Sequence, residues 1–195
     1  MKYLIQVILF LSLSGILIAQ EQTLVGGEIE SGGFGGPVIK VTQLNSEDAL
    51  LVGGRGGWII NHTFVLGGAG YGLVTNVKAR QTDTVHQYIE MGYGGLDLEY
   101  IPASNNLLHL SVGLLIGGGG VGYKDEENDS FNSHHQMRGF FILEPAANIN
   151  LNVTHFFRIA TGVSYRYVSG LTSTLSTNAD ISGPSGVFTL KFGKF

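Results

Sequence analysis

The sequence predicts an all-β chain: an antiparallel up-and-down transmembrane β-barrel of about eight strands, preceded by a cleaved signal peptide. Three observations lead there. The 195 residues include 30 glycines, which interrupt apolar runs, as in Gly67-Gly68-Ala69-Gly70-Tyr71-Gly72, without a collagen-like triplet. Charged residues are 13% of the chain, where a soluble domain carries about 25%, and hydrophobic residues are 44%. Eight successive stretches alternate with period two, and each reaches the roughly 9–11 residues that a tilted strand needs to cross a bilayer.

The N-terminus sets the compartment. Met1-Lys2-Tyr3 is a short basic start, and Leu4 to Ala19 is almost wholly apolar with small residues near its end. That pattern predicts a signal peptide over 1–19, an N-terminal lead-in over 20–32 and a barrel over 33–195. The chain has no cysteine, which removes disulfides, thiol nucleophiles and Cys-based metal sites. A net charge of −4 with no basic stripe argues against a nucleic-acid partner.

The expected strands run over 33–44, 49–60, 64–77, 87–101, 107–123, 137–151, 156–168 and 186–195. In the second, Leu50, Val52, Trp58 and Ile60 share a face opposite Gly53, Arg55 and Gly57. In the fifth, Leu108, Leu110, Val112, Leu114 and Ile116 oppose His109, Ser111 and Gly113. In the sixth, Phe141, Leu143, Ala147, Ile149 and Leu151 oppose Glu144, Asn148 and Asn150. The seventh sets Phe157, Ile159, Val163, Tyr165 and Tyr167 against Arg158, Ala160, Ser164 and Arg166. One face is apolar and the other small, polar or charged, which is the lipid-out, lumen-in pattern of such barrels. The fourth stretch changes parity, so a bulge at Gly94-Gly95 is expected to bring Glu90, Asp97 and Glu99 inward together. Short turns at 61–63, 102–106 and 152–155 alternate with longer polar links at 78–86, 124–136 and 169–185, and only 45–48 is short on the long-loop side.

Over essentially all of its mature length the chain resembles the small eight-stranded bacterial outer-membrane barrels, the OmpA/OmpX-type class. That resemblance implies residence in the outer membrane, contact with its lipid, and recognition of the terminal Phe195 by the barrel insertion machinery. The parity of Phe188, Leu190 and Phe192 differs from that of Phe195, so a second bulge is expected near Gly193. The role expected of the class is a structural or loop-mediated one in the cell envelope, without catalysis. A narrow channel or hydrophobic-ligand conduit is the alternative, followed by a lipid-modifying enzyme. A soluble lipocalin-like barrel is the structural rival, disfavoured because both faces are poor in charge.

The inward positions carry the chemistry. Lys40, Arg55, Arg138, Arg158 and Arg166 face Glu90, Asp97, Glu99 and Glu144, five basic groups to four acidic. Eight strands enclose a space that side chains can fill, so these residues are expected to form a structural ion-pair network. No catalytic, cofactor or metal site is assigned. His109-Leu110-Ser111 is similar to the His and Ser of outer-membrane lipid A deacylases, but Val112 stands where their Asn follows and the pair is expected to face the lumen. Asp125-Glu126-Glu127-Asn128-Asp129 with His134-His135 lacks EF-hand spacing and reads as a solvated loop. Gly117-x-Gly119-x-x-Gly122 matches a dinucleotide fingerprint as a string, yet an acidic loop follows where a helix is required.

Overall fold

The computed structural model describes residues 30–79, 87–125, 137–171 and 176–195. Eight long strands follow in order: β1 (Ser31–Leu44), β2 (Glu47–Ile60), β3 (Phe64–Leu73), β4 (Gln87–Tyr100), β5 (Leu108–Asp125), β6 (Arg138–Asn152), β7 (Phe157–Ser169) and β8 (Gly183–Lys194). A four-residue helix, α1 (Asn178–Ile181), precedes β8. Val77 and Lys78 pair with Ile89 and Tyr88 and continue the line of β3.

Every strand is antiparallel to its sequence neighbours, β1 pairs with β8, and β3 pairs with β4. The sheet therefore closes on itself and leaves no edge, the arrangement that satisfies backbone groups in a lipid wall. Two hairpins turn through consecutive left-handed residues, Asn45-Ser46 and Asn61-His62. Positive φ at both central positions matches the right-handed strand twist, and the first turn lets the ladder run to Leu44 opposite Glu47. That tightness explains why β2 begins two residues before its expected bound, at Glu47, while β1 gains two residues at its other end, where Ser31 pairs with Ile60. The expected signal peptide at 1–19, the expected lead-in up to 29 and the acidic stretch from 126 to 129 with His134-His135 lie outside the described residues.

The parity expected for β2, β5, β6 and β7 is the parity observed. Val163, Leu110 and Val41 stand on the outer wall, and Val163 is 64% exposed. Two expected bulges are absent. In β4, Gly94 pairs with Gly70 and Gly118, and Gly95 with Ala69 and Gly117, in unbroken registers. Ile89, Met91 and Tyr93 thus point inward with Asp97 and Glu99, because the lumen there is itself apolar. In β8 the register is continuous from Phe192 opposite Phe157 to Gly183 opposite Arg166. Phe188 and Phe192 face outward, while Thr189 and Lys191 face the interior.

The interior has three layers along the barrel axis. At the end that carries the termini, Phe34, Ile59, Val65 and Ile101 are buried, and Phe195 packs against them. Charged and polar side chains fill the middle. At the far end, Leu44, Val77, Ile89, Val121 and Val168 form an apolar layer into which Ile181 of α1 inserts.

Candidate functional site: the filled lumen

The middle layer is built around two carboxylate centres. Glu144 of β6 receives Lys40 of β1 at 2.6 Å and the Tyr93 hydroxyl of β4 at 2.9 Å, together with the Ser164 hydroxyl of β7. Lys40 also lies over the Tyr71 ring, its Nζ 3.6 Å from the centroid. Glu99 of β4 receives Lys191 of β8 at 2.9 Å, Arg55 of β2 at 3.1 Å and the Ser111 hydroxyl of β5 at 2.6 Å. Arg55 bridges from Glu99 to Asp97, which lies 2.6 Å from Nη2. Asn150 closes the second centre, donating to Ser111 at 2.8 Å and accepting from Lys191 at 3.0 Å. Both centres are buried, and a buried ion pair is tolerable only where its remaining hydrogen-bonding capacity is met as it is here.

The residues expected in this network divide into three groups. Lys40, Arg55, Asp97, Glu99 and Glu144 meet as described. Arg158 and Arg166 point inward and are buried, but no carboxylate among the described residues lies within ion-pair distance of either. Arg158 stacks on the Phe195 ring, its guanidinium carbon 4.1 Å from the centroid. Glu90 and Arg138 are corrections. Glu90 is exposed, because without the bulge its parity carries it to the outer wall. Arg138 has lumen parity opposite Val121, but it begins β6 at the far rim and is solvent-exposed.

Lys191 is the member that sequence reasoning missed. The signal was present in its alternation with Thr189, which the outward placement of the terminal aromatic obscured. With it the buried cations are Lys40, Arg55, Arg158, Arg166 and Lys191, against Asp97, Glu99 and Glu144: five to three among the described residues.

The His109 and Ser111 pair does not form a catalytic relay. The Ser111 hydroxyl donates to Glu99 and accepts from Asn150, while His109 Nδ1 meets the Asn106 carbonyl oxygen at 3.0 Å. A nucleophile needs the imidazole as its proton acceptor, and both side chains are buried inside the barrel. Gly117, Gly119 and Gly122 lie within the continuous strand β5, which runs on to Asp125, so the glycines do not open a helix.

A closed eight-stranded barrel with an apolar outer wall and a charged, filled interior defines the small bacterial outer-membrane β-barrel class. Among solved structures the chain is similar to Neisserial surface protein A (NspA), with a TM-score of 0.60 and 10% identity over 87% of this chain and 100% of that one. It is also similar to Ail, the attachment invasion locus protein of Yersinia pestis, with a TM-score of 0.50 and 13% identity over 86% and 99%. At these identities the likeness is one of fold. Comparison by sequence finds no matching family model and no matching curated relative.

Proposed function

We propose that this chain is a plugged, non-enzymatic barrel that stabilises the envelope or presents its far-end loops to a partner. The observation that carries this reading is the filling of the lumen at three levels: the Phe34 and Phe195 cluster, the Glu99 and Glu144 centres, and the apolar layer sealed by Ile181. A cavity of about 30 Å³ lies at the middle level between Lys40, Asp97, Glu144 and Ser164. That is room for about one water molecule. The names of the two structural neighbours, a surface protein and an attachment invasion protein, agree in kind with an outward-facing role.

In this reading the short turns and both termini lie in the periplasm, and Phe195 serves the insertion machinery before it packs on Phe34. Planar-bilayer recording of refolded protein tests the plug. A silent bilayer is expected, and stable openings of porin size would replace this reading with the conduit.

A further inference from the structure

Arg166 is fully buried at the boundary between the charged and apolar layers. Two residues before it in β7, Ser164 bonds Glu144; two residues after it, Val168 belongs to the apolar cluster. Its Nε donates to the Ile181 carbonyl oxygen at 2.8 Å and its Nη2 to the Thr42 hydroxyl at 3.4 Å, its guanidinium carbon stands 5.8 Å from the Tyr93 ring centroid, and Nη1 has no hydrogen-bond partner among the described residues. Close by, Ser185 sits opposite Ser164 and Thr42 in the ladders, and its buried hydroxyl also has no partner.

A guanidinium presents a planar fork that matches the two oxygens of a carboxylate. Here it meets no carboxylate, only one carbonyl oxygen from the last residue of α1 and, at longer range, the Thr42 hydroxyl. Ile181 supplies the rest of the contact with an apolar side chain set among Leu44, Val77, Ile89 and Val168. The helix thus puts a branched hydrocarbon in the cup and a single carbonyl on the cation. Among the described residues its bonds at the rim include Asn45 N to the Asp180 carbonyl at 2.8 Å, Val168 N to the Ser182 hydroxyl at 3.0 Å, and Leu171 N to Asn178 Oδ1 at 3.0 Å.

We propose that the far mouth of the barrel is a binding site for an amphipathic carboxylate, a medium-chain fatty-acid anion, which α1 occupies in its absence. The carboxylate takes the Arg166 fork and the Ser185 hydroxyl, and the chain replaces Ile181 among the apolar side chains as α1 lifts. A peptide is disfavoured because its backbone groups would need hydrogen-bonding partners that these apolar walls do not offer. The proposal goes beyond the plugged-barrel reading, since the charged and aromatic layers beneath stay filled whether the mouth is occupied or empty.

The chain has no native cysteine, so Ala179→Cys at an exposed position of α1 carries a single spin label in phosphatidylcholine vesicles. Octanoate is expected to mobilise the label saturably, while octanol and acetate at equal concentration leave it unchanged. Ile181→Ala, which removes the internal competitor, should lower the half-saturating octanoate concentration several-fold, and Arg166→Met should abolish the saturable response. If octanol acts as octanoate does, the effect is partition into the bilayer and the proposal fails. It fails equally if Ile181→Ala leaves the half-saturation point unmoved, an outcome that can be read even if Arg166→Met does not fold. Conductance of the same samples stays silent in either case, so the two proposals are separable.

Discussion

Glu144 is gripped by side chains from three strands, Lys40, Tyr93 and Ser164, and its charge is matched by Lys40. Glu144→Ala leaves that ammonium buried without its counter-ion, and a loss of about 3 kcal/mol is expected. The check is the urea midpoint for unfolding from lipid vesicles; an unchanged midpoint would mean that water solvates the layer. The double change Lys40→Met with Glu144→Leu should recover much of that loss, because removing both charges strands neither. On the adjacent outward position, Val163→Arg should cost roughly 2–4 kcal/mol where the residue lies near the midplane, and Ser164→Ala, which loses one hydrogen bond, about 1–2 kcal/mol. The reverse order would invert the parity of β7. At this scale the sequence was readable wherever charge alternated with bulk, as at Arg55, Glu99 and Glu144. It misled at Glu90, because the run Ile89, Met91 and Tyr93 has the apolar character expected of lipid-facing residues. An apolar lumen layer and a lipid face require the same side chains, so composition cannot distinguish them.

The strands show the same limit in their glycines, which fall into two physical kinds. A Cβ added to Gly36 would sit 1.7 Å from the Leu190 carbonyl oxygen, and one added to Gly162 would sit 2.1 Å from that of Ala147. Neighbouring backbone occupies the space, so the sheet cannot bend as tightly there with a side chain present. On the outer wall, Gly35 and Gly72 have nothing within 4 Å of the same added atom. Gly36→Ala and Gly162→Ala should therefore fail to refold or lose heat-resistant mobility in a gel. Gly35→Ala and Gly72→Ala should hold their mobility and gain up to about 1 kcal/mol from a less flexible unfolded chain. Equal losses in both pairs would refute the division. Strand number, order and turns were legible because the period-two pattern and the Asn-containing turns agree with each other. The two expected bulges failed for different reasons: the one in β4 assumed that the apolar run Ile89, Met91 and Tyr93 must face lipid, the one in β8 that Phe195 must share the outward face of Phe188 and Phe192, and both ladders pass through without a break.

Taken as a whole, the barrel is filled by different chemistry at each level, so on the plugged reading the loss of one seal leaves the others in place. Ile181→Ala thins only the far seal, and Met91, Tyr93, Phe140 and Ile142 still fill the space behind it. Bilayers containing that variant should be as silent as those with the native chain, whereas openings after this one change would show that α1 alone is the plug. The layering was only partly visible in advance, since α1 and the Phe195 cap come from chain ends and connections that carry no period. The middle layer is also assembled across long distances in the chain: Lys40 reaches Glu144 across 104 residues, and Lys191 reaches Glu99 across 92. Lys191 belongs to β8, which pairs with both β1 and β7. A chain cut before Gly183 would carry every carboxylate of the interior but lack the ammonium that completes the Glu99 centre and the ring that caps Phe34. Closure of the ring and saturation of the Glu99 centre are in this way one event, since the strand that joins β7 to β1 also carries Lys191.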